Sequence, residues 1–93
     1  MEERIMTLHP EGKQGVNLLK RRYDQVKDAI LAVLENGGEV TFRDLPDLVG
    51  EKLGDQFDGK IMWYVTTVKL DLEARGLIER IPRKSPQVLR IPA

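Results

Sequence analysis

The sequence contains no cysteine, and its single histidine, His9, stands alone. Zinc sites and thiol chemistry need Cys or several His ligands, so both are excluded, and no metal or cofactor is expected. The carboxylates are scattered, and no Ser, His or Cys is arranged as a nucleophile with its base. An enzyme is therefore not predicted, and we interpret His9 as a loop residue.

Long apolar runs are also absent. No stretch approaches the roughly 20 apolar residues of a membrane-spanning helix. The acidic N-terminus, MEERIMTLHPEG, lacks the basic and apolar regions of a signal peptide. The lack of cysteine fits a reducing compartment. We expect a complete cytoplasmic protein with a thin core, no membrane partner and no small-molecule ligand.

Net charge is the third absence, because 15 Lys and Arg balance 15 Asp and Glu. The two parts of the chain nevertheless differ. Residues 1–59 carry 8 basic and 12 acidic side chains, a balance of −4, and residues 60–93 carry 7 and 3, a balance of +4. A basic second part indicates a polyanionic partner, and ordinary scatter of charge is the alternative.

The first 19 residues hold two short apolar runs, Ile5–Leu8 and Val16–Leu19, separated by the turn-forming segment HPEGKQG. This pattern predicts a β-hairpin or a pair of extended arms over residues 1–19. The segment Gly12–Gly15 matches the GxxG of RNA-binding KH domains. That motif needs a helix on each side, however, and an apparent strand precedes it here, so a plain hairpin loop is preferred.

Residues 20–36 form the clearest helix in the sequence. Its apolar residues recur on one face with the helical period, and two glycines end it: Tyr23, Val26, Ala29, Ile30, Val33 and Leu34, then Gly37 and Gly38. The first turn, Lys20–Arg22, is basic, where the helix dipole disfavours positive charge. These side chains either contact phosphates or form a solvated face, and we prefer the solvated face.

A short strand, Glu39–Phe42, precedes a second helix. We place the start of this helix at residues 43–45, because Pro46 then falls in the first turn, where its missing N–H breaks no hydrogen bond. The residues predicted to face inward are Leu45, Leu48, Val49 and Leu53.

The third helix is predicted over Gly59–Arg75, with Asp58 as N-cap and Phe57 packed on Met62 as a hydrophobic staple. Its core face, with Tyr64 at the edge, consists of Ile61, Val65, Val68 and Leu72. The opposite face lacks the charges of a solvated helix, so we expect it to be covered at least part of the time. This outer face consists of Trp63, Thr66, Thr67, Leu70 and Ala74.

Gly76 ends the third helix, and two strands follow, Leu77–Ile81 and Val88–Ile91. The turn between them carries Arg83 and Lys84 at its tip. The sequence therefore predicts a C-terminal hairpin with a basic tip.

The order of helix, strand, helix, turn, helix and hairpin resembles the winged helix-turn-helix superfamily. In that superfamily the recognition helix often ends in a core leucine, three residues and Gly-Leu-Ile, as Leu72–Ile78 does here. Val65, Val68 and the following Glu79-Arg80 complete the resemblance, which covers residues 20–92. The chain also resembles small uncharacterised bacterial winged-helix proteins, which implies no function.

The resemblance implies an α+β fold with a three-helix core, a C-terminal two-strand wing and a short strand before the second helix. This winged-helix domain would span residues 20–93, and residues 1–19 would add an N-terminal hairpin or extended arm. A three-helix bundle with an unrelated hairpin is the alternative.

The resemblance also implies binding to double-stranded DNA by a transcription regulator that acts as a dimer. In such domains the third helix enters the major groove and the wing contacts the backbone. Carried over to this sequence, the DNA-contacting residues would be Lys60, Trp63, Thr66, Thr67, Arg83 and Lys84.

A protein-interaction or self-association module of the same fold is the alternative function. Recognition helices usually expose Arg, Asn or Gln, whereas this one exposes Trp63 and Leu70 and adds the repulsive charges of Asp71 and Glu73. An apolar patch of Trp63, Leu70 and Ala74 resembles an interface hot spot. Such a patch would pair two copies, dock residues 1–19 or receive another protein.

Overall fold

Three helices and two small antiparallel sheets make up the α+β fold of the protein in a computed structural model that describes residues 2–93. None of the helices in this range has the length and apolar character needed to cross a membrane. The elements are β1 (Arg4–Met6), β2 (Asn17–Leu19), α1 (Lys20–Gly37), β3 (Val40–Thr41), α2 (Leu45–Leu53), α3 (Ile61–Ala74), β4 (Glu79–Arg80) and β5 (Val88–Arg90), with a 3-10 turn at Gly54–Gln56.

The two sheets tie both ends of the chain to the helices. β1 and β2 pair antiparallel with Ile5 opposite Leu18, so residues 4–19 form an N-terminal hairpin rather than separate extended arms. The second sheet has the strand order β3-β5-β4, with Leu89 of β5 paired to Val40 on one side and to Arg80 on the other. The C-terminal hairpin is therefore joined to the strand that precedes α2.

The core lies between the three helices and receives side chains from both hairpins. All six apolar residues predicted to face inward on α1 are buried, and so are Val65, Val68 and Leu72 of α3. Leu18 of β2 and Leu89 of β5 belong to the same cluster. Removing one of these fully buried side chains costs about 2–5 kcal/mol, because truncation leaves a cavity.

Gly76 ends α3 as predicted, and the strand after it is shorter than predicted. The residue has a left-handed backbone (φ 77°), and Leu77 N then donates to Leu72 O at 3.0 Å, which closes the helix end. Leu77 is 39% exposed and Ile78 is inserted into the core. Strand pairing therefore begins only at Glu79, because Leu77 and Ile78 form the connection between α3 and β4.

Leu48 is not on the inward face of α2, so that prediction is wrong. Pro46, predicted only to be harmless in the first turn, is buried with Leu45 and Val49. At ~100° per residue these three positions span one side of the helix, and Leu48 falls beyond its edge. Leu48 is 36% exposed as a result.

The N-cap predicted at Asp58 is also wrong. α3 begins at Ile61 instead of Gly59, and the capping position falls on Lys60, which makes no side-chain cap hydrogen bond. Asp58 instead accepts a hydrogen bond from Nη2 of Arg22 at 2.9 Å. The Arg22 guanidinium, which is distant in sequence, thus binds the carboxylate that an N-cap would need in order to accept from the backbone N–H groups of the helix.

The hydrophobic staple between Phe57 and Met62 does not form either. Phe57 packs edge-to-face on Tyr64, with ring centroids 5.2 Å apart, and Met62 is 63% exposed. The two rings close over Gly59, where an added Cβ would lie 2.5 Å from Tyr64 Cε2 and 2.7 Å from Phe57 Cε2. This close approach requires glycine before α3.

Candidate functional site

The outer face of α3 is divided into two halves with different surroundings. In the N-terminal half, Lys60 is exposed and Trp63 is 45% exposed. In the C-terminal half, Leu70 and Ala74 are both half-buried. The predicted apolar patch of Trp63, Leu70 and Ala74 is therefore not one continuous exposed surface.

The loop of the N-terminal hairpin lies over the C-terminal half of this face. Leu8 lines a small cavity of about 70 Å³ together with Thr67 and Leu70. A second, open depression is shared by Met6 of the hairpin and Ala74. The face that sequence reasoning expected to be covered is thus covered in this half, and residues 4–19 of the same chain are what covers it.

A buried carboxylate, that of Asp71, holds the hairpin to α3. Its Oδ1 accepts from Leu8 N at 2.8 Å, and its Oδ2 accepts from Arg75 Nε at 2.9 Å and from the Tyr23 hydroxyl. Three donors from different parts of the chain compensate the cost of removing this charge from water. The expectation that Asp71 is an exposed repulsive charge is wrong.

The second carboxylate expected to repel DNA, that of Glu73, is also engaged. It pairs with Lys69 Nζ at 2.9 Å, and that buried ammonium lies 4.9 Å from the centre of the Phe42 ring. The sequence itself indicates that one residue of each buried pair, Lys69 and Asp71, lies near the core. At ~100° per residue, Lys69 and Asp71 flank the core face of α3 instead of opposing it.

The pKa of Tyr23 is raised above its usual value of 10.0 by burial and by the hydrogen bond to Asp71. The folded protein therefore holds this proton more tightly than the unfolded chain, and stability falls as pH rises past about 10, by ~1.4 kcal/mol per pH unit. Urea denaturation at pH 8, 10 and 11 measures the slope. In Tyr23→Phe we expect a shallower slope, and an equal slope in both proteins would contradict the assignment.

The basic first turn of α1 is neutralised by carboxylates. Lys20 pairs with Asp24 at 2.7 Å and Arg21 with Glu2 at 3.3 Å, both exposed contacts. Arg22 donates to Asp58, and this bond lowers the pKa of the Asp58 carboxyl. The alternative in which these three cations are unpaired phosphate contacts therefore loses its support.

Arg22 also positions the aromatic side chains at the start of α3. Its Nη1 donates to the Tyr64 hydroxyl at 3.0 Å, and the Tyr64 ring stands edge-to-face on Trp63 with centroids 5.0 Å apart. Thr66 donates its hydroxyl to Met62 O at 2.8 Å, which leaves its methyl group and lone pairs available. The Tyr64 ring, which Arg22 positions, thus packs against one side of the exposed Trp63 indole.

The tip of the C-terminal hairpin brings Arg83 and Lys84 together on the surface. Both side chains are exposed, and neither forms an ion pair within residues 2–93; the same holds for Lys60. Arg83 has a left-handed backbone (φ 64°), a conformation that costs roughly 1 kcal/mol in a residue with a Cβ. Unpaired cations therefore occur at two places, the start of α3 and the tip of the C-terminal hairpin.

Within residues 2–93 no three His, Cys, Asp or Glu side chains come together in a way that could hold an ion. His9 Nδ1 accepts a hydrogen bond from Glu11 N at 3.1 Å, as expected of a loop residue.

The fold and surface define a small α+β domain with a helix face that is apolar and basic at one end and covered by a hairpin at the other. The chain belongs to the DUF6958 family, a family of unknown function, with residues 4–89 matched. Comparison with curated proteins and with solved structures gave no match. The family match includes the N-terminal hairpin as well as the three helices.

Proposed function

We propose that this protein binds double-stranded DNA as a winged-helix transcription regulator. The N-terminal half of α3 would enter the major groove, and the C-terminal hairpin would be the wing that contacts the backbone. The arrangement is supported by the order of the elements, since the strand before α2 pairs with the last strand and the hairpin directly follows α3.

The observation that carries the proposal is the distribution of charge on the surface. Residues 60–68 contain no carboxylate, and the Asp71 and Glu73 carboxylates are paired inside the fold. Lys60 and the hairpin tip, by contrast, keep their cations unpaired. The positive end of the α3 dipole adds to this field, because no acidic residue lies in the first turn.

Base contacts would come from the outer face next to Lys60. Thr66 offers a methyl group that suits the thymine methyl, and Trp63 adds an amphipathic ring. Thr67 lies beside Leu8 of the hairpin loop, so its methyl group is only partly accessible. One chain offers only a few phosphate contacts, so a single copy would bind weakly and with strong dependence on salt. Effective regulation would therefore require a dimer.

Fluorescence anisotropy with labelled genomic DNA fragments at low salt tests this proposal. We expect the triple variant Lys60→Ala/Arg83→Ala/Lys84→Ala to bind about 10-fold to 100-fold more weakly than wild type, since three phosphate contacts are lost. Lys27→Ala, which removes a cation from α1, is the control and should bind like wild type. If Lys27→Ala lost one third of the binding free energy that the triple variant loses, only total charge would matter.

Binding of another protein is the second candidate function. It is favoured by one observation, the exposure of the adjacent apolar residues Met62 and Trp63 at the start of α3. The same anisotropy experiment separates the two functions, because a protein-binding surface gives no salt-dependent DNA affinity. If this face pairs two copies, Trp63→Glu also changes the sedimentation of the protein.

A further inference from the structure

An apolar depression of about 410 Å³ lies between the C-terminal end of α1, β3 and α2. Its lining includes Val33, Gly37, Val40 and Leu48, with Glu51 and Lys52 at the rim. None of its lining residues comes from α3, from the N-terminal hairpin or from the tip of the C-terminal hairpin. This surface is therefore separate from the candidate DNA-binding site.

The depression has a concave floor and, beside it, a protruding side chain. Val33 and Val40 are buried and form its floor, and Gly37 contributes only backbone. Leu48 lines the depression with an exposed side chain, because Leu45, Pro46 and Val49 form the buried side of α2. A surface that carries both shapes fits a second copy of itself when the two are related by a twofold axis.

The rim charges are complementary in the same way. Glu51 and Lys52 are exposed neighbours of opposite sign, and neither forms an ion pair within residues 2–93. When two α2 helices meet antiparallel with the twofold axis between residues 51 and 52, Glu51 of each copy faces Lys52 of the other. A partner of different sequence would not require both signs side by side.

We propose that this face is a homodimer interface in which each Leu48 enters the depression of the other copy and two Glu51–Lys52 pairs close the rim. Such a dimer leaves the N-terminal half of α3 and the C-terminal hairpin tip of both copies accessible. It would double the number of phosphate contacts available to the proposed DNA-binding site. The dimer itself does not depend on DNA, so it is tested without DNA.

Sedimentation velocity from about 10 to 200 µM measures the association. We expect a wild-type dimer and, for Leu48→Glu, a dissociation constant raised at least ~100-fold, because a charge would be placed in the apolar centre of the interface. Leu77→Glu is the matched control, since Leu77 is exposed to a similar extent (39%, against 36% for Leu48) but lies outside this face, and it should remain dimeric. Thermal denaturation checks that both variants are folded.

A charge exchange distinguishes a second copy from any other partner. Glu51→Lys and Lys52→Glu should each weaken the dimer about 3-fold to 10-fold at low salt, because both pairs become repulsive. Mixing the two variants should restore association, since each then meets opposite charges.

Three outcomes would overturn the proposed dimer: a monomeric wild type, a dimer that survives Leu48→Glu, or no recovery on mixing. If any of these occurs while wild type still binds DNA, only the dimer is refuted.

Discussion

Replacing Asp71 with Ala should lower the free energy of unfolding by about 3 kcal/mol, the largest effect of any polar substitution in the chain. The change leaves the Tyr23 hydroxyl and Leu8 N without their acceptor, and Arg75 loses its partner at 2.9 Å. Arg75 is partly exposed and recovers water, so most of the cost comes from the other two donors. Urea denaturation measures the difference.

The conservative variant Asp71→Asn separates the anchoring of the hairpin from the charge. Its amide oxygen retains an acceptor for Leu8 N, so the hairpin stays docked and the loss of stability should be about half as large. Hydrogen exchange at the Leu8 amide should become fast in Asp71→Ala and stay slow in Asp71→Asn. A fully stable Asp71→Ala protein would show that the carboxylate does not hold the hairpin.

Gly15→Ala should destabilise the N-terminal hairpin by about 2–3 kcal/mol, the second large effect, because of overpacking against backbone. An added Cβ would lie 1.7 Å from Thr7 O, an atom that cannot move without opening the hairpin. Thr7 is buried there, and Val16 N donates to its hydroxyl at 2.8 Å. Hydrogen exchange across residues 4–19 should show the hairpin released from α3.

Gly12→Ala in the same loop is the matched control. Gly12, unlike Gly15, has a left-handed backbone (φ 75°), and no atom lies within 4 Å of an added Cβ. Only the conformational cost of roughly 1 kcal/mol applies there. If Gly15→Ala lost no more stability than Gly12→Ala, the close approach to Thr7 O would not be what requires glycine at residue 15.

The spacing of apolar residues and glycines predicted those elements whose structure is determined by residues within the element itself. α1 is an example, since its apolar stripe from Tyr23 to Leu34 is buried as predicted and Gly38 follows its end. The exit from α3 at Gly76 is another, because a left-handed residue there satisfies the last carbonyl groups whatever packs around it.

The errors at Asp58 and Asp71 share a physical cause, which is competition from residues distant in sequence. Asp58 is a good N-cap in isolation, but Arg22 takes its carboxylate. Asp71 lies outside the apolar face of α3 on a helix wheel, so the sequence predicted a solvated side chain. Its burial is possible because Leu8 and Tyr23 supply hydrogen-bond donors. No spacing rule within one helix contains these partners.

The candidate site shows the same division. The sequence indicated that the outer face of α3 lacks charge, and this is a local property. What covers Leu70 and Ala74 depends on where the N-terminal hairpin lies, which is a long-range property. Trp63 remains exposed beyond the reach of that cover, so the face is only partly available to a partner.

The salt dependence of DNA binding tests the central proposal most directly. In anisotropy titrations between 50 and 200 mM salt, wild type should show a negative slope of log K against log salt, and Lys60→Ala/Arg83→Ala/Lys84→Ala should reduce that slope by about 0.9 per lost phosphate contact. Absence of wild-type binding to pooled fragments at low salt, or an identical slope in the triple variant, would contradict the proposed DNA-binding surface.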